Sequence, residues 1–286
     1  MQIRKRHLCM LIPTALLWLT ALGFATVYDL DISLVVANRM SVYGRFFEIA
    51  GEPPAILFAS FNFFLLMSYR LRCTKLTVRD KLLSALFALF GVGTVFFTAI
   101  KTFDYALAWL DDLNVRFRLD LVFFLLTLLI AAVISTVFII TALTSEEEKL
   151  KVFYPIAKSC ILAAVFTFVF IWVFKLGWGR IRFRDMHGDY SLFTPWYAVN
   201  GFTGGFSFPS GHTANATVIL SAVHYLRFLP QKADRFKPIV YAVLCIWIAV
   251  VAFSRVCVGA HFLSDVLFGA AITIAIVYFA RPKEKV

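Results

Sequence analysis

Three clusters between residues 175 and 265 put polar and charged side chains into a sequence that is otherwise strongly apolar. The first is Lys175-Leu-Gly-Trp-Gly-Arg-Ile-Arg182, the second Pro209-Ser210-Gly211-His212, and the third Ser254-Arg255 followed by His261 and Asp265. Lys175, Arg182 and Arg255 are cations that are expensive when left unpaired at the rim of a low-dielectric bundle. A phosphate would pair them, and the guanidinium fork suits its oxygens. Ser210 adds a hydroxyl, and the amides around Gly211 open a helix, whose N-terminus attracts anions. Gly211 also lacks a Cβ, so an oxygen can come close to its backbone. His261 and Asp265 are four apart and share one helical face. A carboxylate there can hold one imidazole nitrogen protonated and leave the other free to attack. His212 begins a different helix, where it suits the delivery of a proton to a departing alkoxide. The combination implies displacement at phosphorus, with the cations stabilising the equatorial oxygens of the transition state.

Each piece alone has a plainer reading. A lone intramembrane His is commonly structural, a Lys or Arg at a helix end an interface anchor, and Ser-Gly at a helix start a cap. A His/Asp pair can bind metal, but no H-E-x-x-H occurs and the neighbouring cations would repel a divalent ion, so no metal or cofactor is expected. His224 lies twelve residues after His212, about 120° around a helix, and reads as structural. Arg180 and Arg184 flank the first cluster and read as solvated rim charges, with contact to substrate or lipid headgroups as the alternative. The aromatic loop 185–208, with His187, Phe193, Trp196, Tyr197 and Phe206, reads as part of an interfacial belt rather than as a determinant of headgroup choice. Cys9, Cys73, Cys160, Cys245 and Cys257 form no C-x-x-C pair and read as inert thiols.

The elements that must position these groups follow from composition. Of 286 residues, 61% are apolar and 16% charged, with a mean hydropathy of +0.82; a soluble domain is about half apolar and a quarter charged. This excludes an ordinary soluble enzyme, a disordered chain and a nucleic-acid module, despite the net charge of +11. A bilayer core of ~30 Å needs ~20 apolar residues in a helix. Eight stretches qualify: 8–28, 53–69, 82–100, 121–143, 153–174, 209–227, 238–255 and 262–280. Their apolar runs are continuous rather than alternating, which favours helices over a barrel. The expected architecture is therefore all-α: one polytopic membrane domain over 1–286, with the signature-free spans in 1–152 and the site in 153–280. The segments 29–52 and 101–120 are amphipathic, readable as interfacial helices or as connecting loops.

Lys and Arg set the orientation. With both termini inside, the inner segments hold 18 of the 28 basic residues and six of the 17 acids. The inner face then carries +12 and the outer face −1, so the basic excess reads as a topology signal and an attraction to anionic inner-leaflet lipid. That topology, fixed by charge alone, puts all three clusters on the outer side. The first 28 residues resemble a signal peptide, but their apolar run is long for one, and an uncleaved first helix is expected.

The motifs K-x6-R, P-S-G-H and S-R-x5-H-x3-D resemble the three signatures of the type 2 phosphatidic acid phosphatase superfamily. They stand here as Lys175…Arg182, Pro209–His212 and Ser254-Arg255…His261…Asp265, with Phe183 where the family usually has Pro. The resemblance implies a metal-independent phosphatase acting through a phosphohistidine. In that scheme His261 is the nucleophile, Asp265 orients it, His212 is the acid, and Lys175, Arg182, Ser210, Gly211 and Arg255 hold the phosphate. The family core usually has six spans, so two of the eight are additional. The expected activity is hydrolysis of a lipid phosphomonoester or pyrophosphate at the extracytoplasmic face of the cell membrane. Phosphatidic acid, phosphatidylglycerophosphate, undecaprenyl pyrophosphate and a phosphorylated glycolipid are candidates, and no protein or nucleic-acid partner is expected. The rivals are a phosphotransferase using the same site and a lipid or ion transporter using the cations for binding.

Overall fold

The computed structural model describes residues 2–113, 120–228 and 230–282. Lys283 and Lys285 of the inner-face count and the end of the 101–120 segment lie outside the described residues. Among the described residues the regular structure is entirely helical: α1 (Gln2–Val36), α2 (Val42–Ala50), α3 (Pro53–Arg72), α4 (Val78–Asp112), α5 (Asp120–Thr144), α6 (Glu147–Trp178), α7 (Gly211–Val218), α8 (Lys237–Cys257) and α9 (Leu263–Ala280), with 3-10 segments between α6 and α7 and between α7 and α8. Each start has a local cause. Ser41 caps α2 through Gly44 N, and Pro53-Pro54 occupy the first turn of α3, where a missing N–H costs nothing. Thr77 and Asp80 form a capping box at α4. α6 ends at Gly179, whose φ of +62° is the left-handed conformation that stops a helix.

Among the described residues, seven helical segments are long and apolar enough to cross a bilayer. The other expected stretch, 209–227, is divided: α7 gives way at Ile219 to a 3-10 segment reaching Phe228. Its polar side chains face protein. His212, Thr213, Thr217 and Ser221 are all buried, and α7 packs against α6, α8 and α9. α5 is the opposite case: Leu125, Leu129, Ile130, Val133 and Ile140 are exposed, as expected of a helix facing lipid.

The two amphipathic segments are largely helical over their described residues rather than plain loops. α1 continues through Asp29 to Val36. α2 packs on α8 and α4, burying Gly44, Arg45 and Glu48. Residues 101–112 extend α4 to 35 residues, about 52 Å at 1.5 Å per residue, which exceeds a bilayer core. The excess turns carry Lys101, Tyr105 and Asp112. The helices form two groups. α6, α7, α8 and α9 pack on one another with α1 against α9; α3, α4 and α5 form a second group joined through α3 and α6. Cys73, Cys160, Cys245 and Cys257 are free thiols.

Candidate active site

The end of α6 and the turn after it carry the first cluster. Lys175 is buried and donates from Nζ to the Phe206 carbonyl at 2.5 Å. Arg182 sits half-buried, 3.7 Å from Asp185, with its Nε unpartnered. Arg180 departs from expectation. It is 0% exposed and is an internal ion-pair hub rather than a solvated rim charge. It pairs with Asp265 at 2.6 Å and Asp29 at 3.0 Å, donates to Ser264 Oγ and the Thr194 carbonyl, and lies 4.1 Å from the centroid of the Phe262 ring. Its cost of burial is offset because two carboxylates and a ring face it. Arg184 also has an internal partner, Glu48 at 3.2 Å.

The loop 185–208 folds onto the bundle more than a belt would. Trp196 donates to Thr26 Oγ1 of α1, Phe193 lies on the Phe262 ring, and Phe206 supplies the Lys175 acceptor. Tyr197 and Phe202 remain exposed.

At the start of α7, Ser210 is the N-cap. Its hydroxyl accepts from Thr213 N and Thr213 Oγ1, and its own N–H donates to the Asp265 carbonyl at 2.9 Å. The hydroxyl is thus engaged in capping, and Ser210 does not line the cavity described below, whereas Gly211 and His212 do. A Cβ on Gly211 would come 3.5 Å from Lys175 Cε, so the helix N-terminus and the ammonium face the same space.

Between α8 and α9, Gly259 adopts φ +64°, which lets the chain reverse within a few residues and brings His261 beside Asp265. His261 Nδ1 lies 2.6 Å from the Ser207 carbonyl and 3.8 Å from Asp265 Oδ2. A carbonyl can only accept, so Nδ1 carries the proton and Nε2 keeps its lone pair. Asp265 therefore acts partly at one remove: its Oδ2 accepts from Ser207 Oγ at 2.6 Å and from Phe262 N at 2.8 Å. Burial pushes the His261 pKa well below the usual imidazole value, against the pull of Asp265, and keeps the ring neutral.

These groups meet in one cavity of about 720 Å³. Lys175, Arg182, Arg255, Gly211, His212 and His261 line its polar end, and side chains of α3, α4 and α6, among them Phe63, Phe90, Phe97, Phe168 and Trp172, line the rest. Arg255 donates through Nη2 to Glu48 at 2.9 Å, while its Nε and Nη1 have no partner. Seven of the eight residues expected from the motifs are brought to this cavity or directly behind it; the Ser210 hydroxyl is turned away. Among the described residues, no three His, Cys, Asp or Glu side chains are grouped so as to hold a metal ion.

The N-terminal half supplies groups that motif reading missed. Glu48 is buried among Arg45, Arg184 and Arg255. Glu52 is buried beside His212, Lys101 and Asn215. Arg45 also meets Asp112 of α4. No local signal marked them, since Glu48 lies near the end of α2 and Glu52 at the N-cap of α3, on separate helices.

The family model for the PAP2 superfamily matches residues 156–283, which include all three motifs. That match covers less than half of the chain and supports a likeness to the type 2 phosphatidic acid phosphatase superfamily over this stretch. Phosphatidylglycerophosphatase B of Bacillus subtilis (strain 168) is 33% identical over 78 residues, 27% of this chain and 38% of that protein's length. No solved structure matches the chain significantly. Asp29, Glu48, Glu52 and Lys101 lie outside the PAP2 match, so the described cavity joins PAP2 residues to residues that the family model does not cover.

Proposed function

We propose that this protein is a membrane lipid phosphatase that cleaves a lipid phosphomonoester or pyrophosphate through a phosphohistidine on His261. One observation carries the reading: His212, His261 and five cations, Lys101, Lys175, Arg182, Arg184 and Arg255, line a cavity whose remaining wall is largely apolar. An amphiphile with a phosphate head fits such a site and a soluble phosphate ester does not use its apolar part. His261 Nε2 attacks phosphorus as the bond to the lipid oxygen breaks, and His212 gives that oxygen its proton. Water then attacks the phosphohistidine, His212 takes the water's proton, and inorganic phosphate leaves. Arg182, Lys175 and the unpartnered Nε and Nη1 of Arg255 hold the equatorial oxygens throughout. No metal is needed in this sequence.

The lipid chain enters between α3, α4 and α6. Residues 153–280 act as the catalytic core and 1–152 as its supporting spans. The charge bias of the loops supports a cell-membrane protein with this site on the extracytoplasmic face. The name of the B. subtilis relative favours phosphatidylglycerophosphate among the candidate substrates.

The test is phosphate release from a panel of lipid phosphates in detergent with chelator, comparing wild type with His261→Ala. A fall on the order of 10³-fold or more is expected. Undiminished turnover in the variant removes the nucleophile, and loss of wild-type turnover on adding chelator removes the metal-free route.

A further inference from the structure

His212 is held by parts of the chain far from its own motif. Its Nε2 lies 3.2 Å from the main-chain carbonyl of Glu48 and 3.6 Å from Glu52 Oε2. Because a carbonyl only accepts, Nε2 carries the proton of that contact. Nδ1 is then the nitrogen left to exchange a proton with a bound group. Glu52 stands at the N-cap of α3, set there by the Pro53-Pro54 turn, and is 4% exposed. Its carboxylate is fixed from two sides. Lys101 Nζ of α4 donates to Oε2 at 2.5 Å, and Asn215 Nδ2, three residues after His212 on α7, donates to Oε1 at 2.6 Å.

The charged surroundings make this carboxylate matter. Facing the His212 ring are Glu48 and Glu52 from α2 and the start of α3, Lys101 and Tyr105 from α4, and Arg255 from α8. Lys101 and Arg255 oppose a proton on the imidazole, and so does burial. Glu48 is already engaged by Arg45, Arg184 and Arg255. Glu52 is therefore the carboxylate whose charge is aimed at the ring. The layout parallels the one behind His261, where Asp265 is also buried and also fixed by its own donors.

We propose that Glu52 is a positioning residue that orients His212 and keeps it able to carry the proton for the leaving oxygen. The proposal rests on the phosphatase reading above. In the first step the phosphorus–oxygen bond to the lipid breaks and the Nδ1 proton of the imidazolium passes to that oxygen, leaving neutral His212 with Nε2–H still held by the Glu48 carbonyl and Glu52. In the second step the neutral ring takes a proton from water as its oxygen bonds to phosphorus, and the bond from phosphorus to His261 breaks.

The experiment compares two substrates at several pH values in detergent-solubilised full-length protein: an alkyl lipid phosphate, whose alkoxide needs a proton to leave, and an aryl phosphate such as p-nitrophenyl phosphate, which does not. Glu52→Gln should lower kcat for the lipid phosphate about 10²-fold, the scale of one general acid, with KM changed little. The alkaline limb of its pH profile should move down by about one pH unit or more, because an anion near the ring has been removed. With the aryl phosphate the same variant should give a burst of about one equivalent of nitrophenol and then slow turnover, since phosphorylation of His261 survives and its hydrolysis does not. Glu52→Asp should recover part of the loss. If Glu52→Gln does not fold, Asn215→Ala, which frees the carboxylate but keeps its charge, should show a smaller loss on the alkyl substrate, again with the aryl burst retained.

Loss of the aryl burst along with lipid turnover, a change confined to KM, or an unmoved alkaline limb would overturn the role of Glu52. His261→Ala separates this from failure of the underlying reading: it should lose both substrates and the burst together, and retained burst in that variant would overturn the phosphohistidine itself.

Discussion

The two halves of the chain contribute to one cavity in different currencies of chemistry. The C-terminal half, α6 to α9, brings the imidazoles and most of the cations, and it brings them in compact motifs. The N-terminal half, α1 to α4, brings mostly counter-charges: Asp29 against Arg180, Glu48 against Arg255 and Arg184, Glu52 beside His212, with Lys101 as the added cation. The reacting groups have to keep fixed mutual geometry, so they sit at helix ends joined by short turns. A counter-charge has only to reach its partner, and it can come from any helix that packs nearby. Spans without a signature are thus electrically part of the site.

The sharpest way to break this comparison is at Asp29. It pairs with Arg180 at 3.0 Å and accepts from Ser264 N at 3.0 Å and from Ser264 Oγ, yet it does not line the cavity. Asp29→Leu should cost about 3 kcal/mol of stability, because it leaves buried donors unpaired, read as a drop in thermal midpoint in detergent. At low temperature kcat should stay within a few-fold of wild type. A loss of kcat without a loss of stability would make the N-terminal half a direct participant in the chemistry and dissolve the distinction.

Glu48 tests the same idea with a smaller effect. Glu48→Ala leaves Arg255, Arg184 and Arg45 without their shared carboxylate but keeps the carbonyl that His212 uses. Inorganic phosphate should then inhibit about tenfold more tightly, or ~1.4 kcal/mol, because a product anion no longer competes with an internal one. Unchanged or weaker inhibition would mean that Glu48 orients the arginines rather than neutralising them.

The smallest effect is expected along the apolar wall, where the halves meet between α3, α4 and α6. Ala164 of α6 lines it, and Ala164→Trp should raise KM roughly 5- to 10-fold for a long-chain lipid phosphate, the scale of a few displaced methylenes. A short-chain water-soluble ester should be unaffected. Equal effects on both would move the chain-binding surface elsewhere.

Much of the C-terminal half was legible in the sequence because its information is local. Lys175 to Arg182, Pro209 to His212 and Arg255 to Asp265 are short stretches whose spacing alone suggests shared faces and helix ends, and the cavity is lined by Lys175, Arg182, Gly211, His212, Arg255 and His261, with Asp265 behind it. The helical membrane architecture was legible for a related reason: apolar runs report the solvent around each helix. Arg180 was misread because nothing in its neighbourhood reveals a partner 151 residues away. Glu48 and Arg255 are 207 apart. Composition says that a buried cation needs an anion; it does not say whether the chain or a ligand supplies it, and here the chain supplies Asp29, Glu48 and Asp265. The division of 209–228 was hidden too, since a run of Ile, Leu, Val and Ala with scattered polar residues does not distinguish a lipid-facing helix from one packed among four others.

The contact between His261 Nδ1 and the Ser207 carbonyl has one further consequence. Imidazole can be phosphorylated on either nitrogen, and the two products differ in shape and lability. Here the π nitrogen is tied to a main-chain oxygen behind the ring, so on the proposed mechanism a phosphoryl group has a single address, the τ nitrogen. Such an intermediate would be of one isomer only, and the ring that receives it would not have to turn over to be used again.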